Sequence, residues 1–380
     1  MMKLLFVLPY YKIGGTLTSF SNLIPLIDKK KYEISAFSLT NDVDDIAILP
    51  KGVNYLGLET GTSRNVFKRR GLKQTIINYL KIVKRLLTKL GYDPSEIVFN
   101  KMAKSLSGKY DVVIAFQEGQ ATRMAQYISA PQKIAWVHCM YNRFKSLSNK
   151  TDIDAYNRYD KIVCVSYTAA KEMTNSEPQW REKIHVVYNA IDTIQINEKA
   201  AECIKLEKKI NLVSIGRIDP VKRFSFIPKI AFQLKKMGLD FDWWIIGGVA
   251  VQNEYDKIVR EIKQLKVDDC VHLLGSLSNP YPFIKSSDLL VCLSSSETFN
   301  YTIAEAKAIG VPVVTSDFPC ALEFVEHEKT GLIMPIEKMV DGIKRILEDK
   351  KLYSDIHAYL ISTRNQKMLT KKQFETLLER

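Results

Sequence analysis

The stretch SSSETFNYTIAEAKAIGVPVV, residues 294–314, follows the apolar run of residues 289–293 and ends inside another, residues 311–315. Its middle, residues 302–309, predicts a helix, because Gly310 suits the position after a helix end and Pro312 cannot continue one. A strand, a helix and a second strand in this order indicate parallel strands joined by a helical crossover. The stretch therefore predicts an α/β fold.

Two glutamates of this stretch, Glu297 and Glu305, have seven residues between them. Glu297 falls in the loop at the carboxyl end of the predicted strand, and Glu305 falls in the early turns of the helix. Ligands of open α/β sheets bind beyond the carboxyl ends of the strands. Carboxylates accept hydrogen bonds from vicinal hydroxyls but do not bind phosphate. A nucleotide sugar fits, with Glu305 on the ribose and Glu297 on the second sugar.

Apolar runs alternate with helix-like segments along the whole chain, which is typical of parallel sheets covered by helices on both faces. The first series of predicted strands is 3–8, 32–39, 112–116, 133–138, 161–166 and 185–188. After a charged patch a second series follows, at 210–215, 243–246, 271–274, 289–293 and 311–315. Two series predict two doubly wound domains facing across a cleft, in agreement with a length of 380 residues. The residues from 336 onward are predicted to be helical and polar.

Three further loops at strand ends carry candidate binding residues. Gly14 and Gly15 precede a predicted helix, where backbone N–H groups could meet an anion, although a plain turn explains them equally well. His138 ends a strand, and a lone histidine there is more often structural than catalytic. Arg217 and Lys222 flank a turn after a strand, where two cations suit a diphosphate. Incidental surface charges are the alternative for that pair.

The net charge of +13 is concentrated in residues 64–109, which hold twelve Lys and Arg against Asp93 and Glu96. Apolar residues recur there at helical spacing with cations between them. A solvated basic helix face and a docking surface for anionic lipid headgroups both fit. Nucleic acid lacks support, because no aromatic-rich basic motif accompanies the cations.

The sequence contains no apolar run of the roughly 18 residues needed to span a bilayer, and its first apolar run predicts a buried strand instead of a secretion signal. The 6 cysteines form no CxxC and several lie in apolar runs, so we expect reduced thiols in a cytosolic protein, with neither disulfides nor a zinc site.

Taken together, these stretches resemble the retaining glycosyltransferases of family 4, which have the GT-B fold. SIGRIDPVKRF, residues 214–224, is similar to the family's G-R…K phosphate segment. ETFNYTIAEAKAIGVPVV, residues 297–314, is similar to its E-x7-E motif with the sequence that follows. EKTGLI, residues 328–333, matches the next segment, and KIVCVS and VVYNAID match more loosely.

The resemblance implies a role for each residue of a donor site. Arg217 and Lys222 would hold the diphosphate, Glu305 the ribose and Glu297 the donor sugar. Gly15, next to Gly14, would offer its backbone to the phosphates, and His138 would face the anomeric centre. Thr298, Phe299 and Asn300 would line the donor site at the first glutamate, but the family usually has E-G-F-G there. The loss of both glycines puts the backbone contacts and the donor's identity in doubt.

The resemblance also implies a domain organisation. Residues 1–190 would form an acceptor-side Rossmann-like domain, completed by a C-terminal helix at about 362–380. Residues 191–361 would form a nucleotide-sugar-binding Rossmann-like domain.

We expect no metal, since Arg217 and Lys222 can stabilise the departing diphosphate. The metal-binding pattern DxD occurs three times, at residues 42–44, 152–154 and 240–242. None of these follows a convincing apolar strand, so all three are predicted to be surface loops.

The expected protein is thus a cytoplasmic glycosyltransferase, peripheral at the inner face of the cell membrane. It would move a sugar from a nucleotide-sugar donor, most simply a UDP-sugar, to a lipid-linked or glycan acceptor in cell-envelope polysaccharide synthesis. A nicotinamide dehydrogenase is disfavoured because neither strand series carries GxGxxG. Two alternatives stay open: a non-transferring relative such as a nucleotide-sugar epimerase or a phosphorylase, and a membrane-docking scaffold with a degenerate sugar site.

Overall fold

The computed structural model of the chain describes residues 1–11, 14–40, 49–56, 95–202, 204–207, 210–363 and 369–379. Contacts within the chain group the residues into two units. Unit 1 comprises Met1–Val165, Ala169–Ala190 and Leu369–Arg380, and unit 2 comprises Ser166–Thr168 and Ile191–Met368.

The helices of the described residues are numbered here in chain order. They are α1 (Gly15–Leu23), α2 (Ser95–Lys104), α3 (Gln120–Ala125), α4 (Tyr141–Leu147), α5 (Lys150–Asp154), α6 (Tyr167–Ser176), α7 (Thr193–Lys199), α8 (Ile227–Lys236), α9 (Gln252–Leu265), α10 (Tyr281–Ser286), α11 (Tyr301–Ile309), α12 (Ala321–Phe324), α13 (Met339–Glu348), α14 (Lys350–Thr363) and α15 (Leu369–Leu378). Short 3₁₀ segments lie at Ile24–Leu26, Ala155–Arg158, Pro178–Lys183, Phe224–Phe226 and Ile336–Lys338.

Unit 1 is built on a parallel sheet. Its strands in the described part of the chain are β1 (Met2–Leu8), β2 (Tyr32–Ser38), β3 (Asn54–Leu56), β4 (Val112–Ala115), β5 (Gln132–Val137), β6 (Lys161–Cys164) and β7 (Ile184–Val186), in the order β3-β2-β1-β4-β5-β6-β7. Leu4 pairs with Val112 and Leu5 with Val113, so β1 and β4 run in parallel at the centre. Both faces of β1 are buried, which explains its continuous apolar sequence.

Unit 2 is built on a second parallel sheet. Its strands among the described residues are β8 (Ile210–Ile215), β9 (Phe241–Ile246), β10 (Val271–Gly275), β11 (Leu289–Cys292), β12 (Val313–Ser316) and β13 (Gly331–Met334), in the order β10-β9-β8-β11-β12-β13. This is the doubly wound order with a switch point between β8 and β11. Leu289 and Val291 pack in one core cluster, while Leu290 and Cys292 pack in the other on the opposite face.

The predicted strands are confirmed to within two residues at every end. The strand at 210–215 is confirmed at both ends. Two strands were not predicted. β3 has three residues, none of them buried, and β13 begins at Gly331, so neither shows an extended apolar run. The predicted helix of residues 302–309 is confirmed, with Gly310 at its end in the left-handed conformation.

The prediction that every DxD is a surface loop is wrong for residues 240–242. Asp242 lies in β9, is 5% exposed, and its Oδ1 is 2.7 Å from Nε2 of His272 on β10. The loop prediction is also wrong for residues 152–154, because Asp152 and Asp154 lie on the helix α5, where Asp152 takes part in a capping box with Asn149. Residues 42–44 lie outside the described residues.

The last helix, α15, belongs to unit 1. The ring of Phe374 lies 6.1 Å from that of Trp136 on β5, and the backbone N–H of Tyr188 donates to Oε1 of Gln373 at 3.0 Å. Nζ of Lys161 donates to the carbonyl of Leu377 at 2.6 Å. Phe374 and Leu377 are buried, so this end of the polar C-terminal segment has an apolar face.

Candidate active site

An ion pair between Lys222 and Glu297 lies at the switch point of the unit 2 sheet. Nζ of Lys222 lies 2.6 Å from Oε1 of Glu297, and their side chains are 19% and 13% exposed. Lys222 follows β8 and Glu297 follows β11, so the two loops at the carboxyl ends of neighbouring strands meet here. Burial is the largest single influence on Lys222 and would lower its pKa. The charge and hydrogen bond of Glu297, together with Cys292 and Asp219, outweigh burial, so the pKa lies above its ordinary value.

The loop that carries Glu297 is fixed by hydrogen bonds. Oγ of Ser294 donates to Oε1 of Glu297 at 2.7 Å, and Sγ of Cys320 donates to the Glu297 carbonyl at 2.8 Å. Oγ of Ser316 donates to the carbonyl of Ser294 at 2.5 Å. The carboxylate is therefore held in place by the loop and by the end of β12.

The turn that carries Lys222 is organised by Asp219. Oδ1 of Asp219 accepts hydrogen bonds from the backbone N–H groups of Val221 and Lys222, each at 3.0 Å, as in an Asx turn. The N–H of Ser295 donates to the carbonyl of Val221 at 2.8 Å, which ties this turn to the Glu297 loop. Arg217 is much more exposed than Lys222. Its side chain is 78% exposed, and its Nη2 lies 3.6 Å from Oδ2 of Asp219.

Two glycines allow the loops after β8 and β9 to touch. A Cβ on Gly247 would lie 1.8 Å from the carbonyl oxygen of Gly216, so no larger residue fits there without moving the backbone. A Cβ on Gly216 would lie 3.0 Å from Cε of Lys222. The stem of Lys222 therefore packs on the bare backbone of Gly216.

Glu305 lies on α11, the helix that directly follows the Glu297 loop, and it is partly buried. The hydroxyl of Tyr281, the first residue of α10, donates to Oε1 of Glu305 at 3.2 Å. Burial raises the pKa of Glu305 to about 7, although the hydrogen bond from Tyr281 opposes this shift. The carboxylate is thus close to half protonated at neutral pH.

The residues that replace the usual glycines are accommodated by the loop. Asn300 is the N-cap of α11, where its Oδ1 accepts from the N–H of Ile303 at 3.0 Å, and it is 2% exposed. Asn300 has a φ of −96°, and Thr298 is not among the positive-φ residues of the described chain. Neither position needs a glycine conformation. The ring of Phe299 packs against those of Tyr301 and Phe324, at 4.9 and 5.1 Å.

In unit 1, Gly14 and Gly15 begin α1 in open surroundings. No described residue lies within 4 Å of a Cβ placed at either position, and Gly14 has an extended φ of 166°. Gly14 is the N-cap and has no side chain with which to cap the helix, and the first turn of α1 has no acidic residue. Packing therefore does not demand glycine here, and the helix N-terminus is suited to an anion.

His138 directly follows β5 and contacts residues of the loop after β4. Its backbone N–H donates to Oε2 of Glu118 at 2.9 Å, and its ring lies 5.0 Å from that of Phe116. Burial lowers the pKa of His138 to about 3, although a hydrogen bond with the Phe116 backbone opposes this shift. The imidazole is therefore neutral at physiological pH and can serve as a hydrogen-bonding group but not as a cation.

The structure thus brings Lys222 and Glu297 into contact and places Glu305 on α11, the helix that follows Glu297. It adds residues that were not predicted: Ser294, Cys320, Tyr281 and Glu118. The Asp-Pro of the Lys222 turn and the Gly-Gly after β9 are recognisable turn signals. Tyr281 has no such signal, because its contact with Glu305 depends on two helices. No group of three or more His, Cys, Asp or Glu residues suited to a metal occurs among the described residues.

Two family models match the chain. Residues 61–195 match "Glycosyltransferase Family 4" and residues 195–362 match "Glycosyl transferases group 1". A relative from Campylobacter jejuni is 26% identical over 344 residues, which cover 89% of this chain and 88% of the relative. It is the N-acetylgalactosamine-N,N'-diacetylbacillosaminyl-diphospho-undecaprenol 4-alpha-N-acetylgalactosaminyltransferase.

Solved structures show the same fold at low identity. HepE of Anabaena, in complex with UDP and glucose, is 17% identical with a TM-score of 0.73, and the match covers 100% of both chains. TarM of S. aureus is 14% identical with a TM-score of 0.73, and the match covers 100% of this chain and 98% of the other. The two parallel α/β units agree with the GT-B fold of these structures. Because the two family models together span residues 61–362, the chain belongs to glycosyltransferase family 4.

Proposed function

We propose that the chain transfers a sugar from a UDP-sugar to a lipid-linked glycan in bacterial cell-envelope polysaccharide synthesis, with retention of configuration. The observation that carries this proposal is the partly buried Lys222–Glu297 pair at the switch point of unit 2, with Glu305 on the helix that follows Glu297. HepE has been crystallised with UDP and with UDP-glucose, and the C. jejuni relative is named for an undecaprenol-linked substrate. The HepE complexes support a UDP-sugar as the donor, and the name of the C. jejuni relative supports a lipid-linked acceptor.

Each residue at the switch point has a role that fits its surroundings. Glu305 accepts hydrogen bonds from the ribose hydroxyls, for which its ionised form is required. Lys222 has a raised pKa and so is fully charged, as a diphosphate ligand should be. Arg217, which is exposed, is free to turn its guanidinium fork to the same diphosphate. Glu297, held by Ser294 and Cys320, accepts from the donor sugar.

The remaining roles fall to the loop backbone and to unit 1. The backbone of Thr298, Phe299 and Asn300 lines the donor sugar. Gly14 and Gly15 offer the N–H groups of α1 to the phosphates. His138 hydrogen-bonds near the anomeric centre as a neutral imidazole.

The reaction needs charge stabilisation on the leaving group more than acid catalysis. The bond from the anomeric carbon to the phosphate oxygen breaks as the acceptor oxygen forms the new glycosidic bond. The diphosphate gains negative charge as it departs, and its departing oxygen takes the proton of the acceptor hydroxyl. Fixed cations and N–H dipoles aimed at that charge are worth several kcal/mol in such sites. Arg217 and Lys222 supply the positive charge, so the proposed mechanism uses no metal.

The lipid-linked acceptor is also supported by the distribution of charge. The basic segment of residues 64–109 lies outside the described residues except for 95–109, which include α2. On α2, Ile97 and Val98 are 61% and 47% exposed beside the cations Lys101 and Lys104. Apolar residues exposed among cations suit the interface of an anionic membrane. No helix among the described residues is long and apolar enough to span one.

The membrane part is tested by sedimentation with vesicles of phosphatidylglycerol and phosphatidylcholine. The variant reverses four cations of the basic segment, Lys81, Lys84, Arg85 and Lys89, to Glu. A control variant reverses four exposed cations of unit 2, Lys257, Arg260, Lys263 and Lys285, to Glu. We expect the first variant to stay in the supernatant and the control to bind like the wild type. Unchanged binding of the first variant would contradict docking through this segment.

The reaction itself is tested by nucleotide release. UDP-glucose, UDP-galactose, UDP-N-acetylglucosamine and UDP-N-acetylgalactosamine are each incubated with the protein and an undecaprenyl-diphosphate-linked glycan. We expect UDP release that requires the acceptor, and an α-linked product by NMR of the anomeric proton. UDP release without acceptor, or isomerised sugar, would favour the alternative of a non-transferring relative. No turnover with any donor would favour the scaffold.

A further inference from the structure

The hydroxyl of Tyr281 makes a direct contact with a candidate site residue, at 3.2 Å from Oε1 of Glu305. We propose that Tyr281 is a positioning residue, which orients the Glu305 carboxylate towards the ribose and favours the ionised form that accepts its hydroxyls. This inference rests on the proposed role of Glu305 in donor binding.

Tyr281 is itself held in a defined place. Oδ1 of Asn279 accepts from the backbone N–H of Tyr281 at 3.4 Å, and Nδ2 of Asn279 donates to the carbonyl of Lys199 at 3.0 Å and to Glu202. Lys199 is the last residue of α7. The start of α10 is therefore anchored to the end of α7.

The same helix α7 is also tied to the helix that carries Glu305. Nδ2 of Asn197 donates to the carbonyl of Ala308 at 3.0 Å. Helices α10 and α11 are thus both hydrogen-bonded, directly or through Asn279, to α7. A tyrosine on one of them can fix a carboxylate on the other because this framework sets their separation.

The electrostatics of the pair agree with a donor hydroxyl on Tyr281 and an acceptor on Glu305. Burial, the Glu305 charge and Asp192 at the N-cap of α7 all raise the pKa of Tyr281, so it stays protonated. Burial raises the pKa of Glu305 to about 7, and the hydrogen bond from Tyr281 acts in the opposite direction. Loss of the hydroxyl should therefore raise the pKa of Glu305 further.

The test is the pH dependence of UDP-glucose binding, measured by titration calorimetry from pH 5.5 to 9. UDP-glucose is the probe because its diphosphate is esterified at both ends, whereas the terminal phosphate of UDP titrates near pH 6. With a carboxylate of pKa about 7, wild-type affinity should fall about thirtyfold from pH 8.5 to pH 5.5. In Tyr281→Phe the midpoint should rise by about one pH unit, so binding at pH 6.5 weakens roughly fivefold to tenfold.

Two further variants separate the outcomes. Tyr359→Phe removes another tyrosine hydroxyl near a carboxylate, that of Glu326 at 3.5 Å on an exposed surface, and should bind like the wild type. Glu305→Gln should bind weakly with no pH midpoint near 7. If Tyr281→Phe binds more weakly at every pH with an unmoved midpoint, the hydroxyl does not act through Glu305 and the inference is overturned. If wild-type protein does not bind UDP-glucose at any pH, the proposed donor site itself fails, and the inference with it.

Discussion

Lys222 and Glu297, 75 residues apart in sequence, form an ion pair of 2.6 Å in which both side chains are largely withdrawn from water. Removal of one partner from a buried pair leaves an uncompensated charge, which costs about 3–5 kcal/mol. The pair therefore links the stability of unit 2 to its candidate chemistry, because the same two side chains are assigned to the donor.

Lys222→Met is expected to lower the free energy of unfolding by about 3 kcal/mol, since it leaves the Glu297 carboxylate buried without a cation. The double variant Lys222→Met/Glu297→Gln should recover about 1–3 kcal/mol of this loss. Urea denaturation measures both. The exposed pair Lys344–Glu348, 3.7 Å apart, provides the control, and Lys344→Met should cost less than about 1 kcal/mol. Strictly additive effects of the two site substitutions would show that the contact does not stabilise unit 2.

Gly247→Ala is expected to destabilise unit 2 by several kcal/mol, because the new Cβ would lie 1.8 Å from the Gly216 carbonyl oxygen. Gly248→Ala is a matched neighbour, where the obstacle at 2.7 Å is the rotatable Oγ of Ser276. Its cost should be smaller by at least about 1 kcal/mol. Thermal unfolding distinguishes the two, and equal losses would mean that the approach of Gly247 to Gly216 is not the cause.

Gly15→Ala separates stability from binding in unit 1. No residue in the described part of the chain lies within 4 Å of the added Cβ, and alanine favours the helical conformation. Stability should therefore be unchanged or rise by up to about 1 kcal/mol. The KM for the donor should nevertheless increase about tenfold if phosphate oxygens approach this backbone. An unchanged KM, with a folded and more stable protein, would remove Gly15 from the donor site.

Glu305→Gln is expected to stabilise the protein at alkaline pH. The folded pKa of about 7 lies above the ordinary 4.5, so the associated stability is complete below pH 4.5 and is lost as the pH rises through 7. At pH 8 the wild type therefore bears the cost of a buried charge, which glutamine does not carry. We expect a gain of about 1–3 kcal/mol at pH 8 that shrinks towards pH 5. A variant less stable than the wild type at pH 8 would contradict the raised pKa.

His138→Ala should lower kcat/KM without changing the shape of its pH profile. The imidazole, with a pKa of about 3, does not titrate in the range where the enzyme would be assayed. Loss of its hydrogen bond near the anomeric centre is expected to cost about a hundredfold in kcat/KM. The profile from pH 5.5 to 8.5 is the readout, and a limb present in the wild type but absent from the variant would show that His138 does titrate there.

Much of the fold could be predicted because buried parallel strands have continuous apolar sequences. The run of residues 289–293, Leu-Leu-Val-Cys-Leu, is the clearest case, since β11 spans Leu289–Cys292 with every residue buried. Strand β3, with three residues of which none is buried, lacks that signal. Asp242 was misplaced for a different reason. It lies in a DxD pattern that also occurs in surface loops, and the sequence does not show that it is buried and paired with His272.

The candidate site divides in the same way. Lys222 and Glu297 lie in loops after strands, and Glu305 lies in the helix that follows Glu297. All three match spaced motifs, so they can be singled out from local sequence. Ser294 and Tyr281 act through contacts that only packing creates, since Tyr281 reaches Glu305 across two helices. Asn300 looked like a lost glycine in sequence, yet it caps α11 with a φ that any residue can adopt.

The central claim is that the edge of unit 2 carrying Glu305 binds a uridine nucleotide. Thermal unfolding with UDP, GDP or ADP, for the wild type beside Glu305→Ala, tests it most directly. A ligand at a hundred times its dissociation constant adds about 2.7 kcal/mol of stability, a shift that is easily measured. The account predicts stabilisation of the wild type by UDP and its loss in Glu305→Ala. No shift with any nucleotide, or an equal shift in the variant, would contradict it.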